Sequence, residues 1–400
     1  MSNYEPGAVY IVSACRSAIG SLNGTLAPYT ARQLGAMAVN EAVKQAGIDP
    51  IHYNYGYMGQ VVQAGSQQNP ARFAMVEGGL PDDVPAVTIN RVCGSGLLSV
   101  SEAATRIMAG RCDVLVAGGM ESMTNSPYAS FDMRAGARMG NGWMHDLMVH
   151  DGLTCPFNLV HMGTIGDWTA EQAGLTREEI DEYAAASYAK ALAAQAAGKF
   201  DAEIFPITIH QKKGDPIIFE KDEDVRETPL EKLANMWTAF SRVGGFCTAG
   251  NSPSVNDGSG AVVVVSGRYL NDHPEVKPMA RIVDFAEVAG LPKKLFFMPI
   301  FAVRKLMDQM GVDINHFDLI EANEAFSSQS LACAKGLEWD SERVNVNGGA
   351  VALGHPIGAS GVRVLVTLLY ALKDCGLKNG LATLCLGGGG AISMSIEMCE

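Results

Sequence analysis

Asn345-Val346-Asn347-Gly348-Gly349-Ala350-Val351-Ala352-Leu353-Gly354-His355-Pro356-Ile357-Gly358-Ala359-Ser360-Gly361 places one titratable residue, His355, among glycines, small apolar residues and a proline. Such a run is neither an ordinary surface loop nor an ordinary helix. Its glycines let the backbone approach a ligand closely. His355, on a turn stiffened by Pro356, is the group there able to move a proton near neutral pH. A buried structural histidine is the plain alternative. The run lies between a strand-like segment, Arg343 to Val346, and an apolar helical pattern, Val362 to Leu372.

That grammar occurs twice. Thr88-Ile89-Asn90 before Cys93-Gly94-Ser95-Gly96 parallels Val344-Asn345-Val346-Asn347 before Gly348-Gly349. Val114-Leu115-Val116-Ala117-Gly118-Gly119 parallels Ala382-Thr383-Leu384-Cys385-Leu386-Gly387-Gly388. The repetition predicts an internal duplication of a half-chain unit. Short β-branched runs (Ala8 to Val12, Val84 to Asn90, Asp113 to Ala117) alternate with helical patterns (Ala31 to Gln45, Leu97 to Ala109), which argues for βαβ units and an α/β fold with helices on the sheet faces. Between the halves the pattern changes. Residues 123 to 163 carry scattered methionine, histidine and glycine with weak periodicity, Thr176 to Gly198 reads as a helix with a capping box, and Asp201 to Arg226 reads as short strands and charged turns. This middle region is expected to be an inserted excursion, after which Ser259 to Val265 returns as a strand of the first half.

Bulk composition narrows the function classes. A chain of 400 residues with 48% hydrophobic and 18% charged residues can bury a large core in two or three subdomains. A formal charge of −13 repels nucleic acid and anionic lipid. No apolar run approaches a membrane span, and the first residues lack the pattern of a signal peptide. Nine cysteines without a CxxC pair fit neither a disulfide framework nor a zinc knuckle, and the eight histidines lack ligand spacing, so the expectation is a cytoplasmic protein with free thiols and no metal.

Two cysteines differ in context from the rest. Cys93 stands between a strand and a helix start, where unpaired amides and the helix dipole are expected to lower a thiol pKa and favour a covalent nucleophile. Gly94, Ser95 and Gly96 leave its sulfur uncrowded and its neighbouring amides open to an oxyanion. Cys385 ends an apolar strand beside four glycines and could act as an acid or base opposite His355. Cys112, Cys333 and Cys375 have no glycine island and read as structural. Asn323-Glu324-Ala325-Phe326 puts a neutral amide where a strand meets a helix. Glu324 there can fix neighbouring groups, although a helix-capping asparagine explains the motif equally well.

Six motifs in order, Asn90-Arg91-Val92-Cys93-Gly94-Ser95-Gly96, Gly118-Gly119-Met120-Glu121-Ser122-Met123, His161-Met162-Gly163, Asn323-Glu324-Ala325-Phe326, Gly354-His355-Pro356-Ile357-Gly358-Ala359-Ser360-Gly361 and Cys385-Leu386-Gly387-Gly388-Gly389, resemble those of the thiolases, of the biosynthetic acetyl-CoA C-acetyltransferase type. The resemblance runs from about Val9 to the chain end. It implies a thiolase fold, a duplicated five-layered α-β-α-β-α core. The N-terminal half would be 1–122, rejoined by about 248–275, the C-terminal half 276–400, and a loop domain at 123–247 would cover the coenzyme A site. It implies Claisen condensation of two acetyl-CoA to acetoacetyl-CoA and coenzyme A, with coenzyme A thioesters as substrates, no tightly bound cofactor, and a homodimer or homotetramer. Carried over by residue, Cys93 would be the acylated nucleophile, His355 its base, and Cys385 the group exchanging the α-proton of the second acyl-CoA. A water held by Asn323 with His355 would form one oxyanion site, and the amides of Cys93 and Gly387 the other. His161 and Met162 would line the pantetheine and acyl end, and Ser252 and Ser254 would stand near coenzyme A.

The chain departs from the family pattern twice. Asn251-Ser252-Pro253-Ser254 stands where a serine normally approaches coenzyme A, and Leu295-Phe296-Phe297-Met298-Pro299 replaces glycines by bulky groups expected to face the acyl pocket. The alternatives are a degradative 3-ketoacyl-CoA thiolase acting on longer chains and a thiolase-like acyl-CoA binding protein without turnover.

Overall fold

Every position of strand β1, Val9–Ser17, is buried, as a strand covered on both faces requires. In the computed structural model, which describes residues 4–241 and 243–399, β1 lies at the middle of the main sheet. The other long members are β2 (Tyr55–Gly59), β3 (Ala86–Ile89), β4 (Val114–Ser122), β5 (Asn256–Ser266), β6 (Ala280–Ala289), β7 (Leu319–Ala322), β8 (Asn379–Leu386) and β9 (Gly390–Met398). Their order across the sheet is β7-β8-β9-β6-β1-β5-β4-β2-β3.

The duplication read from the motifs is visible in this order. One half runs β3-β2-β4-β5-β1. The other runs from the Val344 segment, bridged in parallel to Ile320, through β7-β8-β9-β6. In each half the strands nearest the edge are parallel and the inner ones antiparallel. The halves join where Val9–Ile11 of β1 pairs antiparallel with Ala280–Ile282 of β6.

The longer helices are α1 (Ala31–Ala46), α2 (Pro70–Glu77), α3 (Ser95–Met108), α4 (Met162–Gln172), α5 (Arg177–Ala196), α6 (Met298–Met310), α7 (Ser327–Leu337) and α8 (Ser360–Cys375). Three cores define five layers. Leu34, Val39, Ala71 and Met75 of α1 and α2 pack on one side of the first half. Leu97, Val100, Val362 and Leu365 of α3 and α8 fill the space between the halves. Ile300, Val303 and Cys333 of α6 and α7 cover the far side of the second. The result is the α-β-α-β-α stack expected from the sequence.

The central layer explains two of the motif glycines. A Cβ on Gly96 would lie 2.7 Å from the Val362 amide nitrogen, and one on Gly361 would lie 2.3 Å from that of Leu97. The N-termini of α3 and α8 therefore cross backbone to backbone, and the loops that precede them, one carrying Cys93 and the other His355, are drawn together.

Two sequence boundaries move. β4 continues through Gly118-Gly119 to Ser122, and β5 begins at Asn256, pairing β1 on one side and β4 on the other. The excursion contains α4, α5 and two small ribbons, with the expected capping box of Thr176 and Glu179 opening α5. It is pinned to β1 by Arg16, wholly buried, whose guanidinium donates to Glu203 at 2.6 Å and Asp222 at 2.7 Å.

Candidate active site

Cys93 is presented by a strained turn. Val92 has φ +50°, rare for a β-branched residue. The turn is held by several hydrogen bonds at once. The Val92 amide donates to Asn90 Oδ1 at 3.1 Å, the Arg91 amide to Ser95 Oγ at 2.8 Å, and Ser95 Oγ to the Val92 carbonyl at 2.6 Å. Over-determination of this kind is what lets a strained residue persist at a working site. Gly94 has a packing reason as well, since a Cβ there would meet Leu386 at 2.0 Å. The backbone amides of Cys93 and Gly387 face the sulfur.

The expectation of a lowered thiol pKa is reversed. Burial pushes Cys93 up to about 12, with Glu121 adding to the rise, and the two amides offset this in part. One edge of the residue reaches the cavity, but enough protein surrounds the sulfur to penalise a bare thiolate. Its ionisation therefore needs a partner that takes the proton at the moment of reaction.

His355 is such a partner. Burial, helped by Arg363, lowers its pKa to about 3, so the imidazole rests neutral. Its Nδ1 lies 2.6 Å from Ser360 Oγ, and that hydroxyl donates to the Pro356 carbonyl at 3.0 Å. A hydroxyl has one proton, so Ser360 accepts from Nδ1–H and Nε2 carries the lone pair. Nε2 has no partner among the described residues and is free to act as a base. The loop itself is anchored by the His355 amide donating to Asn256 Oδ1 at 2.9 Å and the Gly358 amide to Glu121 Oε2 at 2.9 Å. Gly354, at φ +105°, makes the turn that brings the histidine round.

Cys385, one residue from the end of β8, is 1% exposed, and its thiol is pushed well above the ordinary range by burial, with Cys93 and Cys333 adding to it. Glu121, held by the amides of Val61, Val62 and Gly358, is raised to about 7 by burial, which outweighs those amides. Two neutral thiols and a neutral imidazole thus occupy one site at rest.

They meet in a cavity of about 250 Å³ lined by Cys93, His355, Cys385 and Gly387, by His161, Met162 and Ser252, and by an apolar wall that includes Phe240, Phe296, Phe326 and Ile357. His161 accepts from the Gly163 amide through Nδ1 at 3.1 Å and stacks on Phe240. Ser252 Oγ has no partner among the described residues, whereas Ser254, although at the cavity, donates to Asp224 at 2.5 Å. Asn323 is fully buried and lies behind the lining, with its Nδ2 unpartnered among the described residues and its Oδ1 3.4 Å from Arg363. Glu324 does fix its surroundings. It accepts from Tyr183 at 3.0 Å, Ser187 at 2.8 Å, Asn345 at 3.0 Å and the Val351 amide at 3.0 Å, tying α5 to the segment before His355.

The bulky stretch divides. Phe296 and Leu295 face the cavity. Phe297 points away to Trp168 in an edge-to-face contact, and Met298 packs on Ala302 and Ala391, so the expectation that all three aromatic and methionine side chains point inward holds for Phe296 alone. The reason is local. A 3-10 turn over Pro292–Phe297 runs directly into α6 and spreads successive side chains around its axis. Sequence reading also missed Phe240, Phe326, Ser360, Arg363 and Asn256 as site components. Ser360 and Phe326 sat inside quoted motifs, and the others carried no signal that separated them from core.

The chain matches the thiolase N-terminal domain family over residues 9–268 and the thiolase C-terminal domain family over 276–398. Acetyl-CoA acetyltransferases of Pseudomonas aeruginosa and Chromobacterium violaceum are 47% and 46% identical to it, covering 97% of this chain and 98% and 99% of theirs. The crystal structure of the Bacillus anthracis acetyl-CoA acetyltransferase superposes with a TM-score of 0.95 at 39% identity, over 100% of both chains. The chain belongs to the thiolase family.

Proposed function

We propose that this thiolase catalyses the reversible condensation of two acetyl-CoA molecules to acetoacetyl-CoA and coenzyme A, through an acyl group carried on Cys93. The observation that carries the reading is the convergence of Cys93, His355, Cys385 and Gly387 on one cavity. The names of the relatives support acetyl-CoA as the substrate.

In this reading the Cys93 proton moves to His355 Nε2 as the sulfur attacks the thioester carbonyl carbon, and the amides of Cys93 and Gly387 receive the charge that develops on its oxygen. The bond from that carbon to the coenzyme A sulfur breaks, and the leaving thiolate takes the proton of Cys385. An imidazolium and the Cys385 thiolate now coexist, and each makes the other tolerable in a site that penalises either alone. The Cys385 thiolate removes an α-proton from a second acetyl-CoA. Its enolate, stabilised by the water held by Asn323 with His355, forms a carbon–carbon bond to the Cys93 acyl carbon. Cys93 leaves as thiolate and recovers its proton from His355, so protons balance over the cycle.

His161, Met162 and Ser252 contact the pantetheine and acyl end in this proposal, and the unpartnered Ser252 hydroxyl takes over the contact that Pro253 cannot make. Ser254 stands near coenzyme A while engaged with Asp224. The segment 123–247 acts as a loop domain over the site between halves 1–122 and 276–400, a division supported by the cavity contributions of Leu153, His161 and Phe240. An assembly of two or four copies is supported by exposed Phe131, Trp143 and Met144 on one segment of that domain. A cytoplasmic location is in keeping with nine unpaired cysteines. Among the described residues, no helix is long and apolar enough to cross a membrane.

The test is to mix the protein with acetyl-CoA, digest it in acid and locate the added acetyl mass. It is expected on Cys93 and absent in Cys93→Ser, with turnover of that variant reduced by several orders of magnitude. Label on another cysteine, or on none, refutes the assignment.

A further inference from the structure

An asparagine amide has ends of opposite polarity, and one turned the wrong way would offer an acceptor, in place of a donor, to a water that must itself donate to an oxyanion. Asn323 has no freedom in its backbone, whose amide donates to the Thr383 carbonyl at 3.0 Å at the end of β7. Two residues earlier on the same face of the strand stands Glu321, 2% exposed, whose Oε1 has no partner among the described residues and would accept from the amide nitrogen. Between them lies the guanidinium of Arg363, 3% exposed, on α8 one turn from Ser360. Its Nη1 donates to Glu321 Oε2 at 3.1 Å, and its Nη2 faces Asn323 Oδ1 at 3.4 Å. A guanidinium has donors and no acceptor, so the carbonyl end of the amide must turn to it, and the contact is strengthened by charge in a dry interior.

We propose that Arg363 is a positioning residue: by holding the carbonyl end of Asn323 with the same fork that engages Glu321 Oε2, it keeps the Asn323 Nδ2 turned to the reacting side. The inference rests on the assignment of Asn323 to the enolate site. Helix α8 then has two alignment roles a turn apart, since Ser360 selects the His355 tautomer and Arg363 the direction of the Asn323 amide. Without Arg363, Asn323 turns its nitrogen to Glu321 and presents oxygen to the water it should donate to, so that water spends a proton on the amide and is no longer polarised toward the enolate.

The test compares two rates in the full-length protein: acetyl transfer to Cys93, and deuterium uptake into acetyl-CoA in D2O, which reports enolate formation. Asn323→Ala is expected to lower exchange relative to acylation by about a hundredfold. Arg363→Met is expected to lower the same ratio by about tenfold or more, and Arg363→Met combined with Glu321→Met to return it to within a few-fold of wild type, because nothing then pulls the amide round. Should Arg363→Met not accumulate as folded protein, Arg363→Lys decides. A lysine keeps the Glu321 pair but cannot reach both acceptors with a fork, so the ratio falls several-fold. If exchange and acylation fall in step, or the ratio is unchanged in the arginine variants while Asn323→Ala lowers it, the positioning role is wrong and the reading of Asn323 stands. If Asn323→Ala itself leaves the ratio unchanged, that reading fails and the positioning role falls with it.

Discussion

Replacing Phe296 should change which acyl chains the site accepts. Phe296 is 2% exposed, packs its ring on Phe326 at 5.3 Å between centroids, and forms part of the wall of a cavity of about 250 Å³ that also holds Cys385. A substrate methylene that meets a filled wall is rejected by about 1–3 kcal/mol. Going from a four-carbon to a six-carbon 3-ketoacyl-CoA adds two, so at about 1 kcal/mol each the six-carbon substrate should lose roughly 30-fold in kcat/KM. Phe296→Ala removes the ring and should recover most of that factor. It should also cost about 3–5 kcal/mol of stability, because a buried aromatic leaves a hole. Phe297→Ala is the control. That ring packs outward on Trp168, so the variant should melt earlier without altering the six-to-four-carbon ratio. The measurement is kcat/KM for four-, six- and eight-carbon substrates in wild type and both variants, with thermal melts alongside. Equal wild-type activity on four and eight carbons, or a shift of the ratio by Phe297→Ala, would refute the reasoning.

Cys385→Ala should slow acyl transfer to Cys93 only modestly, the leaving coenzyme A thiolate then taking its proton from solvent, while suppressing α-proton exchange, whereas His355→Ala should impair both strongly, and equal loss of acylation in the two would contradict the division of labour. Ser360→Ala removes the partner of His355 Nδ1 and should slow both half-reactions by about tenfold or more, since the wrong tautomer becomes available; an unchanged rate of Cys93 acylation counts against the tautomer argument. A buried histidine with its pKa near 3 binds its proton less readily folded than unfolded, so between about pH 3 and the ordinary value of 6.5 the unfolded state holds more protons and stability rises with pH. Glu121, raised to about 7, has the opposite sign between its ordinary 4.5 and 7, and this contribution is common to wild type and variant. On acidification from pH 6.5 to 4.5, wild type should therefore lose more stability than His355→Gln, by about 1.4 kcal/mol per pH unit, as read by urea unfolding; parallel losses would show that His355 is not buried neutral.

The sequence by itself determined the layered α/β architecture, because alternating β-branched and helical runs and a repeated strand–glycine–helix unit admit few other arrangements. It also singled out Cys93, His355 and Cys385, since a thiol or imidazole embedded in glycine stands apart from the residues that merely fill a core. What it could not determine was set by contacts distant along the chain. The Cys93 pKa was expected to fall at a helix start and instead rises, because how much protein surrounds the sulfur depends on Gly387, Glu121 and the cavity wall, all far along the chain. Phe296 and Phe297 are identical and adjacent, yet one faces substrate space and the other Trp168, and a one-residue step around a 3-10 turn decides which. Arg363 and Phe240 look in sequence like any helix arginine and any loop aromatic. Their places at the site exist because α3 and α8 cross at Gly96 and Gly361 and because the excursion folds back over that crossing. Local pattern records what each segment prefers, and the tertiary structure alone decides which preferences meet, since burial and long-range packing set both the electrostatics and the direction of a side chain.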